Sequence, residues 1–265
     1  MIDPIGVSAA SPAIALLIDA DNVSHTAIAA ILSELAKYGT ANVRRAYGDW
    51  TGTSLKGWKT KLHEFAIRPI QQFSYSTGKN ASDMALVIDA MELLYTKRPA
   101  GFCLVSSDAD FTPLVMHLRD AGCAVFGFGE RKTPDPFVNA CTTFLYLDSL
   151  GESAEPLAEP ESAPRSRPAA ARPKKPAGKL AQDAKLVEIL RNAVEASMRD
   201  DGWAVLSVAG GSAKRVSSID PRNYGAKNFP ALFEATGLFD IVRPEGGNAL
   251  IADKTNLDRA KTPQP

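Results

Sequence analysis

Short apolar runs alternate with amphipathic stretches through the first 150 residues. Six runs have the length and composition of strands: residues 14–19, 42–48, 67–75, 102–106, 124–128 and 143–147. Four stretches carry apolar side chains every three or four positions, as helices do: residues 23–38, 54–65, 82–95 and 111–121. Strands and helices in this alternation predict βαβ units around a mostly parallel sheet, which is an α/β fold.

The composition changes at residue 151. Residues 151–178 are rich in proline, alanine, serine and charge, which predicts a disordered linker, acidic in its first half and basic in its second. Three helices and a β-hairpin are predicted beyond it: residues 180–198, 211–217 and 229–236, then 239–243 with 249–252. Helices followed by a two-stranded wing are typical of winged-helix domains, which usually bind nucleic acid. The expected organisation is a flexible leader (1–12), an α/β domain (13–150), the linker (151–178), a winged-helix-like α+β domain (179–255) and a flexible tail (256–265).

Composition narrows the class of protein. The 30 basic and 30 acidic residues cancel, so any contact with a polyanion has to come from local patches. The three cysteines, Cys103, Cys123 and Cys141, have no metal-ligand spacing, which argues against a disulfide framework or a zinc site. No run approaches the roughly 20 apolar residues of a membrane span, and the start lacks a signal-peptide pattern. We therefore expect a cytoplasmic protein that makes no membrane contact.

Carboxylates follow two of the predicted strands. Asp19 and Asp21 end the first strand, where they would share a face if the strand continued, and Asp108 and Asp110 follow the fourth strand in the same spacing. Asp83 lies in the first turn of the helix predicted from residue 82. The carboxyl ends of parallel strands meet at the edge where α/β proteins place their active sites. Carboxylates gathered there would bind a hard divalent cation, Mg²⁺ or Mn²⁺.

Each of these aspartates has a simpler alternative role, as a turn residue or a helix N-cap. Two Asp-x-Asp strand ends together with Asp83 favour the metal site over coincidence. Asp89 is left out, because six residues turn it about 240° around the helix from Asp83.

Basic and aromatic residues lie near the same elements. Arg44, Arg45, Lys56 and Lys59 are close in sequence to Trp50 and Trp58, a mixture that can bind backbone phosphates and stack unpaired bases. The alternatives are an ordinary exposed helix surface for the basic residues and core packing for Trp58. Lys79 precedes Asp83 and can orient a phosphate. Histidines are scattered, and no nucleophile elbow, zinc-protease motif or phosphate-binding glycine loop is present, so any chemistry has to come from carboxylates and metal.

Three blocks resemble the signature blocks of the NYN domain family, PIN-like nucleases related to the LabA proteins: residues 18–22 (IDADN), 79–83 (KNASD) and 106–111 (SSDADF). The resemblance covers residues 13–148 and implies a PIN-like three-layer α/β sandwich that cleaves RNA with Mg²⁺ or Mn²⁺. It implies that the acidic metal ligands are Asp19, Asp83, Asp108 and Asp110, with Asn22 as a substrate or water contact. Ser107, also expected near substrate, stands where the family commonly has glycine.

The C-terminal region resembles an OST-HTH/LOTUS domain. The resemblance rests on Asp201-Gly202-Trp203, on the block from Asp220 to Gly225 (DPRNYG) and on residues 229–239. It implies a winged-helix-like module that binds RNA or a protein partner. Arg222 and Lys227 are its candidate phosphate contacts.

Together these features predict a metal-dependent ribonuclease with a C-terminal RNA-binding module. Two alternatives stay open. One is a regulator that binds RNA or protein without catalysis. The other is a haloacid-dehalogenase-type phosphatase, because Asp19-Ala-Asp21 and Asp108-Ala-Asp110 imitate the acidic motifs of such enzymes. Against this, the second strand ends in Tyr47-Gly48 rather than in the serine or threonine that such enzymes use.

Overall fold

The computed structural model describes residues 11–73, 81–150, 180–244, 247–257 and 259–260. Lys79, the leader through residue 10 and the expected linker 151–178 lie outside the described residues. The chain divides into two compact units, with the division between Leu150 and Gly151.

Six strands form the sheet of the first unit: β1 (Ala13–Asp19), β2 (Thr40–Gly48), β3 (Arg68–Gln71), β4 (Gly101–Val105), β5 (Ala124–Gly129) and β6 (Thr143–Tyr146). Every neighbouring pair is parallel, in the order β3-β2-β1-β4-β5-β6. This confirms the predicted α/β fold. The chain winds outward in one direction from β1 and in the other from β4, so a crevice opens where the carboxyl ends of these two strands meet.

Five helices accompany this sheet in the described residues: α1 (Ile28–Leu35), α2 (Lys56–Glu64), α3 (Ala81–Thr96), α4 (Thr112–Asp120) and α5 (Asp135–Ala140). The first four match the predicted helices, although α1 and α4 are each preceded by a short 3-10 turn, at His25–Ala27 and Ala109–Phe111. Helix α5 was not predicted. The third strand is shorter than expected, because pairing with β2 ends at Gln71.

The core has two apolar layers, one on each face of the sheet. Ile14, Leu16 and Ile18 of β1 pack against α1 and Trp58 of α2. Ala15 and Leu17, on the other face, pack against α3, α4 and α5. Strands covered on both faces are apolar along their whole length, which explains the unbroken runs in the sequence. Because Asp19 is two residues after Leu17, it lies on the face covered by α3 and α4.

The second unit is a small α+β structure. Its elements are α6 (Ala184–Glu195), β7 (Ala204–Val205), α7 (Leu206–Val216), α8 (Phe229–Thr236), β8 (Phe239–Val242) and β9 (Leu250–Asp253). The three strands are antiparallel in the order β7-β9-β8, so the predicted hairpin is confirmed as β8 and β9. No helix in the described part of the chain is long and apolar enough to cross a membrane.

Several boundaries of the second unit differ from expectation. Helix α6 covers Ala184–Glu195 rather than residues 180–198, because Asp183 caps its first turn. Helix α7 begins at Leu206 instead of residue 211, because only Ala204 and Val205 pair with β9. Residues beyond 255 are not all a free tail, since the Trp203 indole donates a hydrogen bond to the carbonyl of Ala260 at 2.9 Å.

Gly127 in β5 tests how tightly the sheet packs. A methyl group there would lie 2.5 Å from Cδ2 of buried Phe144 and 2.7 Å from Sγ of Cys141. We expect Gly127→Ala to lower the free energy of unfolding by about 1–3 kcal/mol in a urea titration. Gly52→Ala is the control, because its nearest neighbour is 3.6 Å away. Equal stability of the two variants would contradict the packing described here.

Candidate functional site

Asp19, the last residue of β1, is a buried carboxylate, only 1% exposed. The Asn22 amide donates to both of its oxygens, at 3.2 and 3.0 Å, and the Ser106 hydroxyl donates to Oδ2 at 2.9 Å. Burial raises the pKa of Asp19, while the hydrogen bonds from Asn22 and Ser106 act in the opposite direction. The side chain is therefore fixed in orientation at the carboxyl edge of the sheet. Asn22, expected as a substrate or water contact, orients this carboxylate in the fold.

Ser106 joins the ends of the two central strands. It follows β4 directly and is 1% exposed. Its hydroxyl donates to Asp19 and accepts a hydrogen bond from the backbone N–H of Asp108 at 3.1 Å. The sequence assigned no role to Ser106. The available signal was a single hydroxyl at the end of an apolar strand beside a strand that ends in aspartate.

Asp108 and Asp110 lie in the turn after β4. Asp108 Oδ1 accepts the N–H of Asp110 at 2.9 Å, so Asp108 caps the 3-10 turn that leads into α4. Capping was the simpler alternative for this residue, and it engages only one of the two oxygens. Asp110 is exposed.

Asp83 lies in the first turn of α3, on the side of the helix that faces the sheet, three residues before buried Leu86 and seven before Ala90. Burial, followed by the charges of Asp19, Asp108, Asp21 and Asp110, raises the pKa of Asp83 to about 6. The structure thus brings all four predicted acids within electrostatic reach of one another.

Helix α3 is fastened to the sheet by a second acidic residue. Asp89 accepts hydrogen bonds from the Arg45 guanidinium and from the hydroxyl of buried Tyr47. Burial, followed by the hydrogen bond to Asp89, raises the pKa of Tyr47 well above its usual range, so this hydroxyl keeps its proton. In the register of β1 and β2, Arg45 pairs with Leu17 and Tyr47 pairs with Asp19, so the cluster extends up to the level of Asp19. It holds α3 in the position that brings Asp83 to the other carboxylates.

The four acids lie at the same edge of the sheet, but their side chains are not arranged as the ligands of a metal ion. Within the described ranges, no three acidic, histidine or cysteine side chains are arranged to hold a metal ion. The donors fit Mg²⁺ or Mn²⁺ chemically, because they are all carboxylate oxygens. Asp21 was expected to lie on the same face of a continuing strand as Asp19. Instead β1 ends at Asp19, and Asp21 lies in an exposed turn, where it accepts the N–H of Asp49 at 3.3 Å.

Two of the basic residues expected to contact substrate are engaged inside the fold. Arg45 is paired with Asp89. Arg44 donates to the carbonyls of Ala41 and Phe65, at 3.0 and 2.8 Å. These contacts give both arginines structural roles in the fold.

Helix α2 carries the other two basic residues expected to contact substrate, and it packs against the segment that follows Asp19 at the carboxyl edge of the sheet. The buried indole of Trp58 donates to the carbonyl of Val23 at 3.2 Å, and the His25 ring lies against Gly57, where a methyl group would come within 2.1 Å of Nε2. Trp58 is therefore a packing residue. Lys56 and Lys59 are exposed on this helix, which contacts Val23 and His25 through Trp58 and Gly57.

Of the other residues expected to contact substrate, two are engaged within the fold and one is exposed. The Ser107 hydroxyl accepts the N–H of Glu130 at 2.8 Å, which ties the loop after β4 to the end of β5. Arg222 forms a two-pronged pair with Asp220, with both N–O distances 2.8 Å, and so stabilises its own turn. Lys227 is exposed just before α8.

The fold and the acidic edge define a PIN-like α/β protein, and the second unit adds a separate small α+β module. The NYN domain model matches residues 13–148, and the chain belongs to this family. The OST-HTH/LOTUS domain model matches residues 181–251. NYN domains are PIN-like domains of the nuclease type, and OST-HTH/LOTUS domains bind RNA.

Two solved structures are similar to parts of the chain. A protein of unknown function from Vibrio parahaemolyticus has 19% sequence identity and a TM-score of 0.46, covering 54% of this chain and 97% of its own. MurG from Acinetobacter baumannii has 15% identity and a TM-score of 0.30, covering 57% of this chain and 43% of its own. Neither likeness is strong enough to bear on function. No curated protein gives a significant match.

The raised pKa of Asp83 predicts how stability depends on pH. Between the ordinary value of 3.8 and about 6, the folded protein binds more protons than the unfolded chain. The free energy of unfolding therefore falls as pH rises through this window and stays lower above it. Asp83→Asn removes this charge, so we expect a higher melting temperature than wild type at a pH of about 7.5 in EDTA, with a flatter profile below it.

The matched control is Asp120→Asn, an exposed aspartate at the end of α4. Its melting temperature should follow wild type at every pH. A destabilised Asp83→Asn protein at neutral pH would show that Asp83 is not crowded by other carboxylates.

Proposed function

We propose that this protein is a metal-dependent ribonuclease that hydrolyses RNA phosphodiester bonds at the edge formed by β1 and β4. The observation that supports this most directly is the set of charges acting on Asp83, which links acids from β1, α3 and the turn after β4. Carboxylates this close repel one another, and a fold keeps such an arrangement when a cation offsets the repulsion. Membership of a family of nuclease-type domains points to the same chemistry.

Asp19, Asp83, Asp108 and Asp110 are the residues that would hold Mg²⁺ or Mn²⁺. When bound, the cation supplies positive charge at the scissile phosphate and lowers the pKa of a water molecule for in-line attack. The expected products carry a 5′-phosphate and a 3′-hydroxyl.

The chain's own groups prepare this site. Asn22 and Ser106 hold the Asp19 carboxylate in one orientation, so little rearrangement is needed when a ligand arrives. Ser106 also fixes the start of the turn that carries Asp108. The Arg45–Asp89–Tyr47 cluster fixes the register of α3 and hence the distance of Asp83 from the sheet. Burial and the neighbouring carboxylates raise the pKa of Asp83 to about 6, so this carboxyl group is mostly ionised at a pH of about 7.5.

RNA contacts are assigned to Lys56 and Lys59 on α2 and to Lys227 in the second unit. All three are exposed. A chain with no net charge has no general attraction for RNA, so binding depends on local groups such as these. Lys79 keeps its predicted role as a phosphate contact.

A protein partner for the OST-HTH/LOTUS domain is also compatible with this proposal, as is a cytoplasmic location.

Substitution of two acids tests catalysis. We expect Asp19→Asn combined with Asp108→Asn to slow cleavage of single-stranded RNA by about a hundredfold or more in Mg²⁺ or Mn²⁺, because both residues are proposed ligands. The rate is measured on a labelled oligonucleotide, and circular dichroism verifies the fold. Asp120→Asn should cleave like wild type. Undiminished digestion by the double variant would remove the site from the mechanism, and cleavage by neither protein would favour a binding regulator.

The lysines of α2 are tested through salt dependence. Two phosphate contacts to a single strand contribute about 1.4 to the slope of log affinity against log salt concentration. Lys56→Glu with Lys59→Glu should weaken RNA binding and reduce the slope by about that amount, whereas Lys56→Arg with Lys59→Arg should preserve it. Fluorescence anisotropy across a salt series gives both quantities. An unchanged slope in the glutamate variant would place the RNA elsewhere.

A further inference from the structure

The outer face of α3 exposes an apolar row. Of the five large apolar side chains exposed in the described part of the first unit, three are on α3 and one is on α4: Met84, Ile88, Tyr95 and Met116. Half-buried Met91 lies between Ile88 and Tyr95 on the same helix. We call Met84, Ile88, Met91 and Tyr95 the α3 seam. Exposed apolar rows of this kind mark interaction surfaces.

The spacing of the α3 seam is that of a helix-pairing interface. Its residues are separated by four, three and four positions, which is the apolar repeat of a two-stranded coiled coil. The repeat also reads the same in both directions. When two copies of α3 lie antiparallel about a two-fold axis, Met84 faces Tyr95 and Ile88 faces Met91. Each half of the interface then contains a methionine–aromatic contact, which is favourable. A second copy of the same chain is the partner that meets this symmetry.

Charge selects the antiparallel arrangement over the parallel one. The first turn of α3 carries Asp83, beside the other carboxylates, whereas Lys97 and Arg98 follow its last turn and are exposed. In an antiparallel pair, Lys97 lies at the level of Ser82 of the second copy, so the basic end of each helix adjoins the acidic end of the other. A parallel pair would bring the exposed Lys97 and Arg98 of the two copies together, which is unfavourable.

We propose that the α3 seam is the interface of a two-fold symmetric dimer, and that Lys97 and Arg98 of each copy border the carboxylate edge of the other. The second part rests on the proposed ribonuclease function, because it gives the two basic residues an RNA strand to contact. Two 16-residue helices bury less than the roughly 800 Å² per partner of a standard interface, so we expect a dissociation constant in the micromolar range.

The first experiment measures association without RNA. Sedimentation of the full-length chain from about 1 to about 200 µM should show a monomer–dimer equilibrium in the micromolar range. Ile88→Arg should abolish the dimer without unfolding the protein, since Ile88 is 63% exposed. Val216→Arg is the matched control, because it changes an apolar side chain that is 68% exposed in the second unit. The dissociation constant of its dimer should equal that of wild type.

Cross-linking tests the orientation. In a Cys123→Ser background, Met84→Cys and Tyr95→Cys proteins are oxidised separately and as a mixture. The two-fold axis places residue 84 of one copy opposite residue 95 of the other. Residue 84 of one copy is about 16 Å from residue 84 of the other, so disulfide-linked dimers should form only in the mixture. Cross-linking of Met84→Cys alone would exclude the antiparallel pairing. A monomer at every concentration would overturn the dimer and leave the α3 seam to a different protein.

Complementation tests the shared site. A Lys97→Glu/Arg98→Glu protein has intact carboxylates, and an Asp19→Asn protein has intact basic residues. Mixing them should raise RNA cleavage above the sum of the two alone, because each mixed dimer contains one complete site. If the mixture is merely additive while both variants dimerise, Lys97 and Arg98 do not serve the other copy's site. If wild type does not cleave RNA at all, the proposed function is wrong. The dimer is tested separately by sedimentation.

Discussion

The hydrogen bond from Ser106 to Asp19 is the contact on which the site depends. It joins the carboxyl ends of β1 and β4, the two strands from which the chain winds outward in opposite directions. Burying a carboxylate is costly unless hydrogen bonds compensate it, and Asp19 receives them from Ser106 and Asn22. The same hydroxyl accepts the N–H of Asp108, so one buried serine fixes both the strand that presents Asp19 and the turn that presents Asp108.

Helix α3 brings the remaining acid and does so under opposing forces. Its apolar face packs on the sheet through Leu86, Ala90 and Leu93, and Asp89 is bonded to Arg45 and Tyr47. These contacts hold the first turn against the edge, although burial and the charges there oppose the ionisation of Asp83. Packing deep in the domain thus stabilises an arrangement that is unfavourable at its surface. Sites that bind ions commonly show this division between a stable scaffold and a locally destabilised constellation.

Much of the fold could be predicted because parallel strands covered on both faces are apolar throughout, as residues 14–18 and 102–105 are. Helix α5 was missed because it has only six residues and contains Pro136, too little for a helical period to appear. The start of α7 was missed because Ala204–Val208 is apolar except for Ser207, and periodicity does not separate a short strand from the first turn of a buried helix.

The acids of the site could be placed from strand ends and helix starts, since local sequence determines where an element stops. The roles of Arg45 and Arg222 could not. Arg45 is engaged by Asp89, 44 residues away, and an exposed arginine has the same sequence signature as a paired one. Arg222 pairs with Asp220 inside a turn whose geometry the sequence does not reveal. Ser106 illustrates the same limit, because its two partners meet only once β1 and β4 are adjacent.

Calorimetric titration of the full-length protein with Mg²⁺ or Mn²⁺ at a pH of about 6, in buffers of different ionisation enthalpy, tests most directly whether the acidic edge binds a cation. With Asp83 half-protonated there, binding should release about half a proton per ion, and the release should vanish in Asp83→Asn. Absence of binding in wild type, or binding that Asp83→Asn leaves unaltered in both heat and proton release, would contradict a metal centre at this edge.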